Sequence, residues 1–192
     1  GTTLMENRKD ALVVASKLII FINKLAKEIS QKDNRHFVAT VGKIEVSPNY
    51  VTIIPSDVEF IIDLRVVNET SRDLFLNKLN KEIIKLKKLE NLKINFQDLM
   101  NSPYIEMNKT LNESLKKSVN DLNFTFMMMD SGAGHDTAHL AKVSKASIIF
   151  IPCQNGLSHC PEEFTKSINI KKGSEVILKS ILDLKDNYNE II

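Results

Sequence analysis

Three of the chain's four histidines, both of its cysteines and an acidic pair fall in one interval, Ser131 to Thr165, between hydrophobic stretches. These side chains can bind a metal, move a proton or attack as a nucleophile, so chemistry concentrates there. His135 and His139 stand four apart with Asp136 between them, and on a helix both imidazoles would share a face, as in the zinc motif H-E-x-x-H. Aspartate is too short to reach the water that glutamate reaches in that motif. His139 therefore reads as a polar residue on a partly exposed helix face. His159 is the better ligand candidate, held in a loop between Ser158 and Cys160 with Pro161 and Glu162 following. Cys153 and Cys160 lack zinc-knuckle spacing and read as packing cysteines. Local chemistry alone leaves two readings of His159 open, metal ligand or catalytic residue.

A further candidate lies outside that interval. In EFIIDLRV, Val58, Phe60, Ile62 and Leu64 face one side of a strand while Glu59, Ile61, Asp63 and Arg65 face the other. Arg65 is either solvated there or projects into a cleft, where its planar fork would suit a carboxylate.

The elements that must position these residues follow from periodicity. Apolar residues at Ala11, Ala15, Leu18, Ile22, Leu25 and Ile29 predict an amphipathic helix from about Glu6 to Ile29. Its stripe packs on its own sheet, and the spacing would also serve a helix-helix dimer contact. Strands are expected at His36 to Val46 and in the 58–65 segment, joined through the turn residues Ser47-Pro48-Asn49 and Pro55-Ser56-Asp57. A helix capped at Thr70 follows, with Leu76, Leu79, Ile83 and Leu86 on one face, then a strand at Leu92 to Met100. The pattern α-β-β-α-β predicts a two-layer unit, residues 1–103, with an antiparallel sheet and helices on one face. Turn residues at Asn101-Ser102-Pro103 mark a boundary. Beyond it a helix at Leu111 to Leu122, a strand at Phe124 to Met129, a glycine-rich turn, a helix, a strand at Ala146 to Ile151 and a closing helix at Lys172 to Leu184 predict an α/β segment, 104–192, with a mixed sheet. Met127 to Met129 read as core filling.

Composition narrows the classes. The 192 residues are 43% hydrophobic, enough for a buried core, and 26 basic against 24 acidic residues leave a net charge of +2, spread along the chain. No field draws in nucleic acid or an anionic membrane, and no apolar run reaches membrane-spanning length. Two cysteines are too few for a disulfide framework, which fits a reducing, cytoplasmic setting.

Four blocks, GTTLMENRKDA at the start, VSPNYVTIIPSDVEFIIDLR, SGAGHD at 131–136 and IPCQNGLSHCPEEFT at 151–165, occur in order. Together they resemble the N-carbamoyl-L-amino-acid hydrolase and allantoate amidohydrolase family, of the dinuclear metallo-aminoacylase and carboxypeptidase-like superfamily. The resemblance implies that residues 1–103 are most of a lid domain that dimerises, without its first strand. It implies that 104–192 is the returning C-terminal part of a metal-binding catalytic domain. The family motif carries His-Ala before the equivalent of Gly1, so a substrate-binding lid histidine is expected outside this sequence, together with most metal ligands and the glutamate base.

Residue by residue, His159 in G-x-S-H-x-P-x-E matches the last metal ligand and Arg65 the arginine that grips the substrate carboxylate. Gly134, with Ala133 and His135, matches a backbone turn near the substrate. The family's substrate-binding asparagine falls at Thr52, which could still donate a hydrogen bond with shorter reach, and its Pro-Gly is Pro55-Ser56; both depart from the family pattern. The implied reaction is hydrolysis of a linear C–N bond in an N-carbamoyl amino acid or allantoate-like ureido acid, with two divalent ions (zinc, manganese or cobalt), in a homodimer. The chain alone is expected to be inactive. An aminoacylase or dipeptidase of the same superfamily, and a non-catalytic dimerisation module, are the alternatives.

Overall fold

A computed structural model describes residues 1–186 and divides the chain into two compact units. The first comprises Gly1–Tyr104 with Asp130–Gly132; the second comprises Ile105–Met129 and the chain from Ala133 onward. The last six residues of the 104–192 segment lie outside the described part.

In the first unit, Asp10 sets where helix α1 (Ala11–Ser30) begins, its carboxylate accepting from the amides of Leu12 and Val13 at 3.1 and 3.2 Å. Such a cap satisfies donors that have no partner inside the first turn. The helix therefore starts later than the apolar periodicity alone suggested. Strands β1 (Phe37–Ser47) and β2 (Asp57–Val66) form an antiparallel hairpin. Helix α2 (Glu69–Glu90) is capped by Asn68, which accepts from Thr70 N at 3.0 Å, so the cap lies two residues before Thr70. Asn91 closes α2 in the left-handed region at φ 48°, where asparagine is tolerated.

The pleat divides the hairpin cleanly. Phe37, Ala39, Val41, Phe60, Ile62, Leu64 and Val66 turn toward Leu18, Ile22, Leu25 and Ile29 of α1 and Phe75, Leu79, Ile83 and Leu86 of α2. The register pairs Val38 with Arg65 and Thr40 with Asp63 on the face opposite the one packed against α1 and α2. Gly42 sits where the register shifts, between Val41 and Lys43.

Three expected strands do not form ladders. Among the described residues the only sheet is β1-β2, and Leu92 to Met100, Phe124 to Met129 and Ala146 to Ile151 run outside helix and sheet. Alternation reports which way side chains face, but a strand also needs a neighbour for its amides and carbonyls. Leu92 and Ile94 do pack against the first unit's core without such a neighbour. Met127, Met128 and Met129 stand 77%, 57% and 59% exposed, so they are not core filling.

The second unit is built on α3 (Lys109–Asp121) packed against α5 (Ser167–Asp186), with the short α4 (Asp136–Leu140) between them in sequence. Ser114 and Ser180 share a hydrogen bond of 2.8 Å across the α3-α5 contact, beside the buried Val119 and Val176. No helix among the described residues is long and apolar enough to cross a membrane.

Candidate functional site

This opposite face of the hairpin carries an open groove of about 350 Å³, lined by His36, Val38, Thr40, Asp63, Arg65 and Gly132. Side chains two apart share a face, so Val38 and Thr40 of β1, with His36 just before that strand, stand beside Asp63 and Arg65 of β2. The guanidinium of Arg65 donates to Asp63 Oδ2 through Nη2 at 2.8 Å and Nε at 3.0 Å, and through Nη1 to the carbonyl of Gly132 at 2.7 Å. Asp63 raises the Arg65 pKa above its ordinary value, by hydrogen bonding first and by charge second. The cation thus stays charged at any physiological pH, with its plane fixed along one edge.

A β-carbon at Gly132 would run into the His36 ring, so a larger residue there needs that ring to move. The same short segment is held again at Asp130, which accepts from Arg35 Nε at 2.6 Å and Nη2 at 2.8 Å. Arg35 also donates to the Tyr104 hydroxyl at 3.2 Å. That bidentate pairing holds the Asp130 carboxyl below its ordinary value of 3.8, outweighing the opposing effect of burial. A lowered carboxyl contributes stability above its unfolded-state pKa and loses it as pH falls through the folded-state value. Asp130→Asn is therefore expected to melt a few degrees below wild type at pH 7, with the gap closing below about pH 4. Thermal melts across pH 2 to 8 check this; a gap that stays constant down to pH 2 would show that the ion pair adds nothing.

A second recess, of about 400 Å³, lies beside the α1-β1 turn. Its polar groups serve that turn, as when Asp33 Oδ1 accepts from Arg35 N at 2.9 Å.

Thr52 is not part of the groove. It is exposed in the hairpin loop beyond the Ser47-Asp57 pair, at the opposite end from Arg65. Eight residue steps separate Asp57 from Arg65, roughly 26 Å of strand at about 3.3 Å per residue. One hairpin cannot bring both onto a single small molecule.

Gly134, His135 and His159 belong to the second unit. His135 has extended backbone, φ −132° and ψ 148°, at the position that caps α4. It therefore shares no helix face with His139, and its ring lies 5.3 Å from that of Phe150. His159 is exposed and sits in the left-handed region at φ 58°, and its amide donates to Glu163 Oε2 at 2.8 Å. That bond gives H-x-P-x-E a local reason: the glutamate four residues on pins the strained turn that presents the imidazole. Sequence reasoning missed this, although the i to i+4 spacing was its signal. Among the described residues no group of three or more His, Cys, Asp or Glu assembles to hold a metal. His159 alone is not a metal centre.

The profile of peptidase family M20/M25/M40 matches residues 3–183. The chain belongs to this family. It is 31% identical over 179 residues to an N-carbamoyl-L-amino-acid amidohydrolase of Paenarthrobacter aurescens, covering 93% of this chain and 42% of that protein. It is 30% identical over 185 residues to a ureidoglycolate hydrolase of Arabidopsis thaliana, covering 96% and 38%. The fold matches the crystal structure of a hydantoinase/carbamoylase family amidase from Burkholderia multivorans, with TM-score 0.83, 26% identity, and 95% and 44% of the two chains covered. The chain spans less than half the length of these relatives.

Proposed function

We propose that this M20 chain serves an amidohydrolase that cleaves a linear C–N bond in an N-carbamoyl amino acid or a related ureido acid such as ureidoglycolate or allantoate. Residues 1–103 act as a lid, also the dimer contact, and 104–192 as part of the catalytic domain. The observation that carries this reading is Arg65, a cation held in place by Asp63 and Gly132 in the lining of an open groove, suited to a substrate carboxylate. Relatives named for ureido acids support the substrate class.

The role of this chain's residues is to bind and orient. Arg65 holds the carboxylate and so fixes where the scissile bond lies, converting part of the barrier into binding. Gly134 and His135 provide the turn near the substrate, and Thr52, a hydrogen-bond donor at the other end of the hairpin, serves a contact separate from Arg65. Two divalent ions are expected in the whole enzyme, with His159 as one ligand. The described residues do not by themselves fit such a centre, so the chemistry assigned to them is confined to substrate binding.

The test follows ammonia release from the ureido acids and free α-amine release from the acyl amino acids and dipeptides, by the protein as its native source makes it, in the cytoplasm on this reading. N-carbamoyl amino acids, ureidoglycolate and allantoate are set against N-acetyl amino acids and dipeptides. Turnover of the ureido acids is expected. Turnover of only the acyl amino acids or dipeptides would replace this reading with the aminoacylase one, and no turnover at all would leave a dimerisation module.

A further inference from the structure

The way Arg65 is already occupied limits what it can accept. Asp63 takes the side of the guanidinium formed by Nε and Nη2, and Gly132 takes a donor of Nη1. Five N–H groups are available on an arginine, so the terminal edge between Nη1 and Nη2 still has donors for one carboxylate. A ligand bound at that edge lies next to the Asp63 carboxylate, which is itself about half exposed to the groove. The remaining lining of the groove, Val38, Thr40, His36 and the Gly132 backbone, includes no lysine or second arginine to balance another negative charge.

We propose that Asp63 is a specificity-determining residue: it fixes the edge Arg65 presents and turns away ligands that carry a second anionic group, so the groove selects monocarboxylates whose other polar groups are neutral. This rests on Arg65 as the carboxylate holder. Two unit charges about 5 Å apart in a water-like medium repel enough to change a binding ratio on the order of fivefold. A neutral ureido or amide group meets no such repulsion and can accept or donate at Thr40.

The experiment titrates the 192-residue chain with N-carbamoylglycine, a monoanion, and N-carbamoylaspartate, a dianion, following the Arg65 Nε–Hε and Gly132 amide resonances by NMR. Wild type is expected to favour the monoanion several-fold. Asp63→Asn should narrow that preference about fivefold, whereas Asp63→Glu should keep it. Raising the salt from about 0.02 to 0.5 M should narrow it in wild type too, a readout that needs no variant. A preference ratio that is the same in wild type and Asp63→Asn, or indifferent to salt, overturns the role of Asp63. Arg65→Gln separates the two levels: if neither probe's binding depends on Arg65, the carboxylate reading falls and Asp63's role falls with it. Binding that needs Arg65 but shows no charge preference defeats Asp63 alone.

Discussion

Phe75→Ala is expected to remove about 3–5 kcal/mol from the stability of the first unit, a large part of the roughly 5–15 kcal/mol that a small domain has. Phe75 is 0% exposed and lies at the centre of the cluster joining α1, α2 and the hairpin. Its ring is 5.7 Å from that of Phe37, tilted by 59°, an arrangement that adds to simple burial. Truncation therefore opens a cavity where three elements meet, and none can close it without losing contacts with the other two. With no tryptophan in the chain, urea unfolding is best followed by far-UV circular dichroism. The midpoint should fall steeply while the slope holds, and Phe75→Leu should cost much less. A loss under about 1 kcal/mol would mean that α2 is not clamped to the hairpin as described.

This core was legible in the sequence because burial on one face leaves a periodic trace. Five of the six stripe positions expected on the first helix, Ala15, Leu18, Ile22, Leu25 and Ile29, are buried. The two faces of β2 separate as alternation required. Pairing was not legible, since the segments at 92–100, 124–129 and 146–151 have the composition of strands but no ladder among the described residues. Composition fixes a preference for extended backbone, whereas a ladder depends on a second segment that local pattern does not name. The groove was half legible. Arg65 and Asp63 could be placed on one face, but their mutual hydrogen bonds, and the approach of Gly132 from nearly seventy residues away, are tertiary facts. Glycines in SGAGHD suggested a turn, whereas the space a β-carbon would take at Gly132 is filled by the His36 ring.

Arg65→Gln is expected to weaken binding of N-carbamoylglycine about tenfold to a hundredfold, the loss of one charge-assisted, partly exposed fork. The substitution does more than delete a donor. It leaves the Asp63 carboxylate facing the ligand without its cation, so part of the loss is new repulsion. The two contributions separate in a cycle with Asp63→Asn. The double variant should bind more tightly than Arg65→Gln, having shed the repulsion, and more weakly than wild type, lacking the fork. Arg65→Lys keeps the charge but not the planar geometry, and should fall between wild type and Arg65→Gln. Dissociation constants from the same titration decide it. If Arg65→Gln binds as wild type does, the groove does not hold the carboxylate. If Arg65→Lys matches wild type, charge alone suffices, and the fixed guanidinium plane has no part in orienting the substrate.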